Sequence, residues 1–235
     1  MISAALSRQA GLQKELLAVA NNIANANTTG YRAEGVIFSE YVKALDGADS
    51  ISMTRANAHS IDLTQGEIIA TKGQFDIAIA GEGFFLLEGN DGPRLTRAGV
   101  FALNEQSELV DPEGRKVLNE GEGAIAIPQG AKSVTFSPTG EVSVDGQVLG
   151  RLAVVVAPPE GLVREGDNLF RSDAEYEPAE DYAIIQGAVE GSNVNSMNEF
   201  VRLIEVQRAY EGTKGFLDKE AERLRNLVQT LGRAE

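Results

Sequence analysis

The stretch Ile2–Ala26, "ISAALSRQAGLQKELLAVANNIANA", decides the fold of the whole chain. Ile2, Ala5, Gln9, Leu12, Leu16, Val19, Ile23 and Ala26 follow a strict 3-4-3-4 spacing along it. A row that returns every 3.5 residues on average is the seam of a coiled coil, and a seam needs a partner helix to cover it. The far end of the chain supplies a second one. Leu203, Val206, Tyr210, Thr213, Leu217, Glu220, Leu224, Leu227 and Leu231 repeat the same spacing. Two such helices, with the β-rich part of the chain between them, describe a subunit built to assemble.

The first helix is expected from Ser3 to Asn27, where Asn21, Asn22, Asn25 and Asn27 give way to Thr28-Thr29-Gly30. Asparagine is a poor interior residue in a helix, and glycine suits a left-handed cap. The cluster reads either as a fraying C-terminus or as a contact element. The last helix is expected from Met197 to Leu231, opened by a capping box of Ser196 and Glu199. At 1.5 Å per residue it is about 50 Å long, against about 36 Å for the first helix, so one cannot cover the other. Phe200, Ile204, Phe216 and Val228 broaden its apolar face beyond the seam, while Gly212 and Gly215 weaken it. Leu16, Val19 and Ile23 are expected to bury around Leu217 and Leu224, or against the equivalent helix of a neighbour.

All seven prolines fall between Pro93 and Pro178. Residues 36–74 show little periodicity and read as an extended, irregular connector, and residues 161–186 as an acidic return arm. Between them, residues 75–160 carry short apolar runs such as Phe75–Ile79, Phe84–Glu88, Arg94–Thr96, Val134–Ser137 and Glu141–Val144. Asn90-Asp91-Gly92, Pro138-Thr139-Gly140 and Asp145-Gly146 separate these runs as turns. Many short strands with such regular turn signals argue for an antiparallel sandwich or barrel. The fold class is therefore α+β, with paired terminal helices (1–35 and 187–235) and a central antiparallel β module.

Charge and composition exclude several functions. The net charge of −14 sits wholly in residues 36–189, which hold eleven basic and twenty-five acidic groups. That middle repels nucleic acid and anionic membrane. No cysteine is present, so no disulfide framework or thiolate metal site exists. His59, the only histidine, lies in the polar stretch Arg55–Ser60 with no nucleophile motif beside it. Gly81-Glu82-Gly83 lacks the third glycine and the following helix of a dinucleotide fingerprint, and reads as a hairpin turn. Glu82, Glu88 and Asp91 could be a glycosidase pair only in a groove with aromatic platforms, and the chain has no tryptophan. No catalytic, cofactor-binding or metal site is assigned. Gln13, Lys14 and Glu15 interrupt the N-terminal apolar run, so it is not read as a secretory signal, and no segment is long enough to span a membrane.

Four stretches then carry a resemblance. "VANNIANANTTGYR" (Val19–Arg32) resembles the N-terminal signature of the bacterial flagellar rod and hook proteins. "GAVEGSNVNSMNEFVRLIEVQRAYE" (Gly187–Glu211) resembles their C-terminal signature, and "FDIAIAGEGFF" (Phe75–Phe85) with "LTRAGVFALN" (Leu95–Asn104) their shared central domain. The chain length and single β module resemble the proximal-rod member, with the distal-rod member second. The resemblance implies a structural, non-enzymatic subunit without cofactor, found in the basal-body rod in the periplasmic space. It also implies a hollow shaft that transmits torque and encloses the export channel. The implied partners are copies of the chain, other proximal-rod subunits, the distal-rod protein and, during secretion, the flagellar type III export apparatus. Interface positions follow as Leu12, Leu16, Val19, Asn22, Ile23, Asn25, Gly30 and Tyr31 at one end. At the other they are Asn193, Val194, Leu203, Gln207, Arg208, Tyr210, Leu217, Leu224 and Leu231. An extracellular β module on a coiled-coil stalk, such as an adhesin, is the different-class alternative, although a stalk would normally be one continuous segment.

Overall fold

The computed structural model describes residues 2–45 and 48–231, with side chains described for 4–37 and 60–231. The chain divides into two compact units. One comprises residues 1–24, 34–60 and 195–235, and the other residues 25–33 and 61–194.

The first unit is built on two helices, α1 (Ile2–Ala24) and α2 (Ser196–Leu231). The cap of α2 is not Ser196. The carboxamide oxygen of Asn195 accepts the Asn198 N–H at 3.1 Å, so the asparagine one residue earlier satisfies the orphan donor. Glu199, freed from a capping role, accepts a hydrogen bond from Asn22 Nδ2 at 3.3 Å. A second cross-helix link joins Glu15 Oε1 to Arg202 Nε at 2.8 Å. Residue numbers thus rise on one helix as they fall on the other, and the two run antiparallel. On this register Leu217 lies about 22 Å along α2 from Arg202, beyond the reach of Leu16. The expected pairing of Leu16 with Leu217 and Leu224 is therefore not made within the chain. The segment expected to be an irregular connector instead forms two strands, Glu34–Leu45 and Ala48–Ile61, paired with each other.

The second unit is antiparallel β throughout its described pairings. Its largest sheet orders the strands Leu162–Arg164, Leu169–Ser172, Arg94–Thr96, Phe84–Leu87, Val154–Val156 and Glu177–Pro178. Phe84–Leu87 is buried at every position, because successive side chains enter two different cores. Phe85 and Leu87 join Ile77, Ile79, Phe136, Val142 and Leu152 on one face. Phe84 and Leu86 join Leu95, Leu162 and Phe170 on the other. A strand covered on both faces reads as a continuous apolar run, and "FFLL" is one.

Two expectations are corrected here. The return arm 161–186 is not irregular: it supplies strands Leu162–Arg164, Leu169–Ser172, Glu177–Pro178 and Tyr182–Gln186, all paired into the β unit. Gly81-Glu82-Gly83 is not a hairpin turn either. Ile77–Gly81 pairs with Tyr182–Gln186 while Phe84–Leu87 pairs in the large sheet, so the tripeptide is a corner between sheets. A Cβ on Gly83 would meet Val154 Cγ1 at 2.8 Å, and the φ of +115° disfavours any other residue. By contrast Asp145-Gly146 does join paired strands, with φ of 48° and 83° as a two-residue hairpin turn demands.

Candidate assembly surfaces and their anchors

Along α1 the predicted row is graded. Leu12 and Val19 are buried, and Leu16 and Ile23 are half-buried. Along α2 the gradient is steeper. Val206 is the buried residue of that helix, and Leu203, Tyr210, Thr213 and Leu217 are half-buried. Leu224 and Leu231 are 43% and 71% exposed, with Leu227 and Val228 also open. Gln207 and Arg208 are exposed, Gln207 donating to Glu211 Oε1 at 3.1 Å on the same helix. Phe200, Val201, Ile204 and Phe216 form further exposed apolar surface. The seam is thus covered where α1 reaches and bare beyond it.

The Asn-rich words have a definite structural job. Asn22, on the helical unit, is buried and addresses both backbone groups of Glu34: its Oδ1 accepts the N–H at 2.8 Å and its Nδ2 donates to the C=O at 2.9 Å. A carboxamide presents the same donor and acceptor pair as a peptide group, so it substitutes for a neighbouring strand. Within the β unit Asn193 works the same way. Its Oδ1 accepts the Ala33 N–H at 2.7 Å, and its Nδ2 donates to the carbonyls of Asp62 and Thr64 at 2.9 Å each. An aspartate has no donor for those two carbonyls, and a leucine has nothing for any of the three groups.

The turn that follows α1 is equally fixed. Asn25 offers its carbonyl to the Thr28 N–H at 3.1 Å and its side-chain oxygen to the Thr28 hydroxyl at 3.2 Å. Gly30 has φ of +70° and donates its N–H to the Glu190 carbonyl at 2.7 Å. A Cβ there would sit 2.3 Å from the Ala98 nitrogen, so only glycine permits the approach. Tyr31 is buried, with the Arg164 guanidinium 4.5 Å from its ring centroid and 4.8 Å from that of Phe170. Val194 is half-buried, and its N–H donates to the Ser192 hydroxyl at 3.2 Å.

Beneath this turn lies a buried ionic cluster that sequence reading did not single out. Arg32 Nη1 pairs with Glu190 Oε1 at 2.6 Å and donates to the Thr64 carbonyl at 2.5 Å. Arg97 Nε faces the other carboxylate oxygen at 3.3 Å, and its Nη2 donates to the Gly81 carbonyl at 2.6 Å. The Gly66 N–H completes Glu190 Oε1 at 2.8 Å. All three side chains are 3% exposed or less. Burial lowers the pKa of Arg32, and it lowers that of Arg97 to about 10, against the opposing attraction of Glu190. Both guanidinium groups are still charged at neutral pH. Glu190 thus ties the start of the β unit (Arg32) to its centre (Arg97) and its end. Arg32, Arg97 and Glu190 all stand inside the quoted motifs, but nothing local in a sequence says that they meet.

Among the described residues no group of acidic or histidine side chains is arranged to hold a metal ion, and no helix is long and apolar enough to cross a membrane. The side chain of His59 lies outside the described residues, as does that of Ile2.

Comparison with known proteins separates the chain into three matching segments. Residues 2–32 match the family model "Flagella basal body rod protein", residues 78–144 "Flagellar hook protein FlgE/F/G D1 domain", and residues 185–213 "Flagellar basal body rod FlgEFG protein C-terminal". These segments hold α1 with its turn, most of the first β core, and Glu190 with the start of α2. Among full-length relatives, the flagellar basal-body rod protein FlgF of Caulobacter vibrioides is 39% identical, over 97% of this chain and 96% of the relative. That of Mesorhizobium japonicum is 34% identical over the same shares. The flagellar basal-body rod protein FlgG of Bacillus subtilis is 31% identical over 95% of this chain and 96% of the relative. With both helical ends and the β centre matched in one order, this chain belongs to the family of flagellar basal-body rod proteins.

Proposed function

We propose that the chain is a structural subunit of the flagellar basal-body rod, of the FlgF type, which polymerises into a hollow shaft that transmits torque. The observation that carries this reading is the α2 seam, whose apolar row continues to Leu231 although α1 stops covering it near Leu217. A single chain leaves that row exposed; a ring or helix of copies closes it. In this reading the terminal helices form coiled-coil contacts between neighbouring subunits and line the inner tube, with the β unit outside. The partners are further copies, other proximal-rod subunits and the distal-rod protein FlgG. The subunit crosses the cell envelope through the flagellar type III export apparatus and resides in the periplasmic rod. It carries no catalytic chemistry.

A distal-rod role of the FlgG type is the second reading, favoured by the full-length match to FlgG proteins. Deleting the gene and imaging isolated basal bodies tests both. Loss of the whole rod beyond its base supports the FlgF reading, and loss of the distal segment alone supports the FlgG one. Intact rods overturn both.

A further inference from the structure

The buried ionic cluster of the β unit is not charge-balanced. Arg32 and Arg97 face one carboxylate, Glu190, so this part of the interior carries one positive charge in excess. A buried charge without a counter-charge is costly unless something nearby completes it. The donor inventory agrees. Among the described residues Arg97 Nη1 and Arg32 Nε are buried without a hydrogen-bond acceptor, and Arg97 Nε has only the ion-pair contact to Glu190 Oε2, itself without a hydrogen bond, at 3.3 Å. Both arginines line a cavity of about 210 Å³ with apolar walls that include Leu63, Phe84 and Val156, and with Glu82 at its side. The other carboxylates acting on these guanidinium groups are Asp62 and Glu82, both exposed. Neither is hydrogen-bonded to Arg32 or Arg97; Asp62 is taken up by Thr64.

We propose that this cavity is a binding site for one carboxylate group on a short aliphatic stem. One negative charge balances the excess; a dianion would overshoot it and meet Glu82. A carboxylate oxygen is a strong, charge-assisted acceptor for the open guanidinium N–H donors. The apolar walls suit a stem of methylene groups rather than a bare ion. Such a group reaches the site either on a small carboxylic acid or on a glutamate of another copy of the chain, whose surface is rich in them. The inference rests on the β unit alone and stands or falls separately from the rod reading.

Side-chain Nε–H resonances of arginine in the full-length, ¹⁵N-labelled protein provide the test, titrated with butyrate and, in parallel, with chloride. A saturable shift of the Arg97 and Arg32 signals by butyrate is expected, with a dissociation constant of roughly 0.1–10 mM for so small a ligand. Chloride at equal ionic strength leaves them in place. Removing the competing charge with Glu82→Gln tightens butyrate binding roughly threefold, and Arg97→Lys abolishes saturation. The amide signals of Phe84–Leu87 report whether Arg97→Lys still folds; if it does not, Glu82→Gln decides alone. Signals that move with protein concentration in the absence of butyrate identify the carboxylate of a second copy, and signals indifferent to concentration identify a small acid. Equal shifts with chloride, or no tightening in Glu82→Gln, overturn the proposal.

Discussion

The β unit and the helical unit use apolar residues in opposite ways. The β unit closes two cores on itself, with Phe85, Leu87, Leu95, Leu109, Val142, Leu152 and Phe170 at 1% exposure or less. The helical unit, in its described side chains, buries Leu12, Ala18, Val19 and Val206 among its apolar residues and leaves Leu224, Leu227, Val228 and Leu231 to solvent. Most helical stability in proteins comes from packing, so a helix left bare over its last four turns depends on something outside its own chain. One unit is finished by folding; the other keeps an open apolar row, which the assembly proposed above would cover.

That contrast can be broken experimentally, and the largest expected effect is in amide hydrogen exchange. In a verified monomer, amides in the strands Phe84–Leu87 and Leu169–Ser172 should exchange slower than those of residues 217–231 by about three orders of magnitude. Residues 4–27 and 197–216 should fall between, closer to the fast end. Protection of 217–231 equal to that of the strands would show a preformed helical unit and remove assembly as its stabiliser.

A second way is to attack the anchor of the β unit. Glu190→Gln keeps the shape and deletes the charge between Arg32 and Arg97, and breaking a buried ion pair costs about 3–5 kcal/mol. Urea unfolding of the full chain should show that loss in the β transition, and an unchanged midpoint would mean that the cluster is screened by groups not identified above. Asn193→Ala should cost less, about 1–3 kcal/mol, because it takes a partner from the Ala33 N–H and the Asp62 carbonyl, while the Thr64 carbonyl keeps its bond from Arg32. Ala33 and Thr64 amide shifts would locate the damage.

The smallest effect on folding is expected at the bare end of α2, the surface that the proposed assembly would cover. Leu224→Ala should change the stability of the isolated subunit by no more than about 0.5 kcal/mol, as exposed positions do. Yet the same substitution should prevent rod assembly and abolish motility in a complemented deletion strain. Motile cells with normal rods would remove Leu224 from the interface.

The parts of this molecule that were legible in the sequence are those whose signal is local. The 3.5-residue rows at both ends, the Asp145-Gly146 hairpin and the strand at Phe84 declare themselves within a few residues, although that this strand serves two cores does not. The helix cap was missed by one position, since Asn195 and Ser196 are both competent and only geometry chooses between them. The arm 161–186 looked irregular because its strands are short and interrupted, and the Glu177–Pro178 pair lies at a sheet edge where proline is tolerated. The Arg32–Glu190–Arg97 cluster was illegible for a different reason. Its members lie far apart along the chain, and charged residues are expected at the surface unless a fold pairs them. Asn22 and Asn193 stood in motifs marked as contact elements. What they hold in this chain is its own backbone, and their place in a subunit interface is still a proposal.

The strand Phe84–Leu87 has one more consequence, for how the subunit comes apart. Because its alternate side chains belong to both cores, neither core can lose its packing while the other keeps a complete wall. The β unit should therefore melt in a single calorimetric transition, with no plateau between the two faces. Pulled from either end, it should yield in one rupture rather than peel layer by layer. For the exported, load-bearing subunit proposed above, that means a sharp boundary between being thread and being machine part.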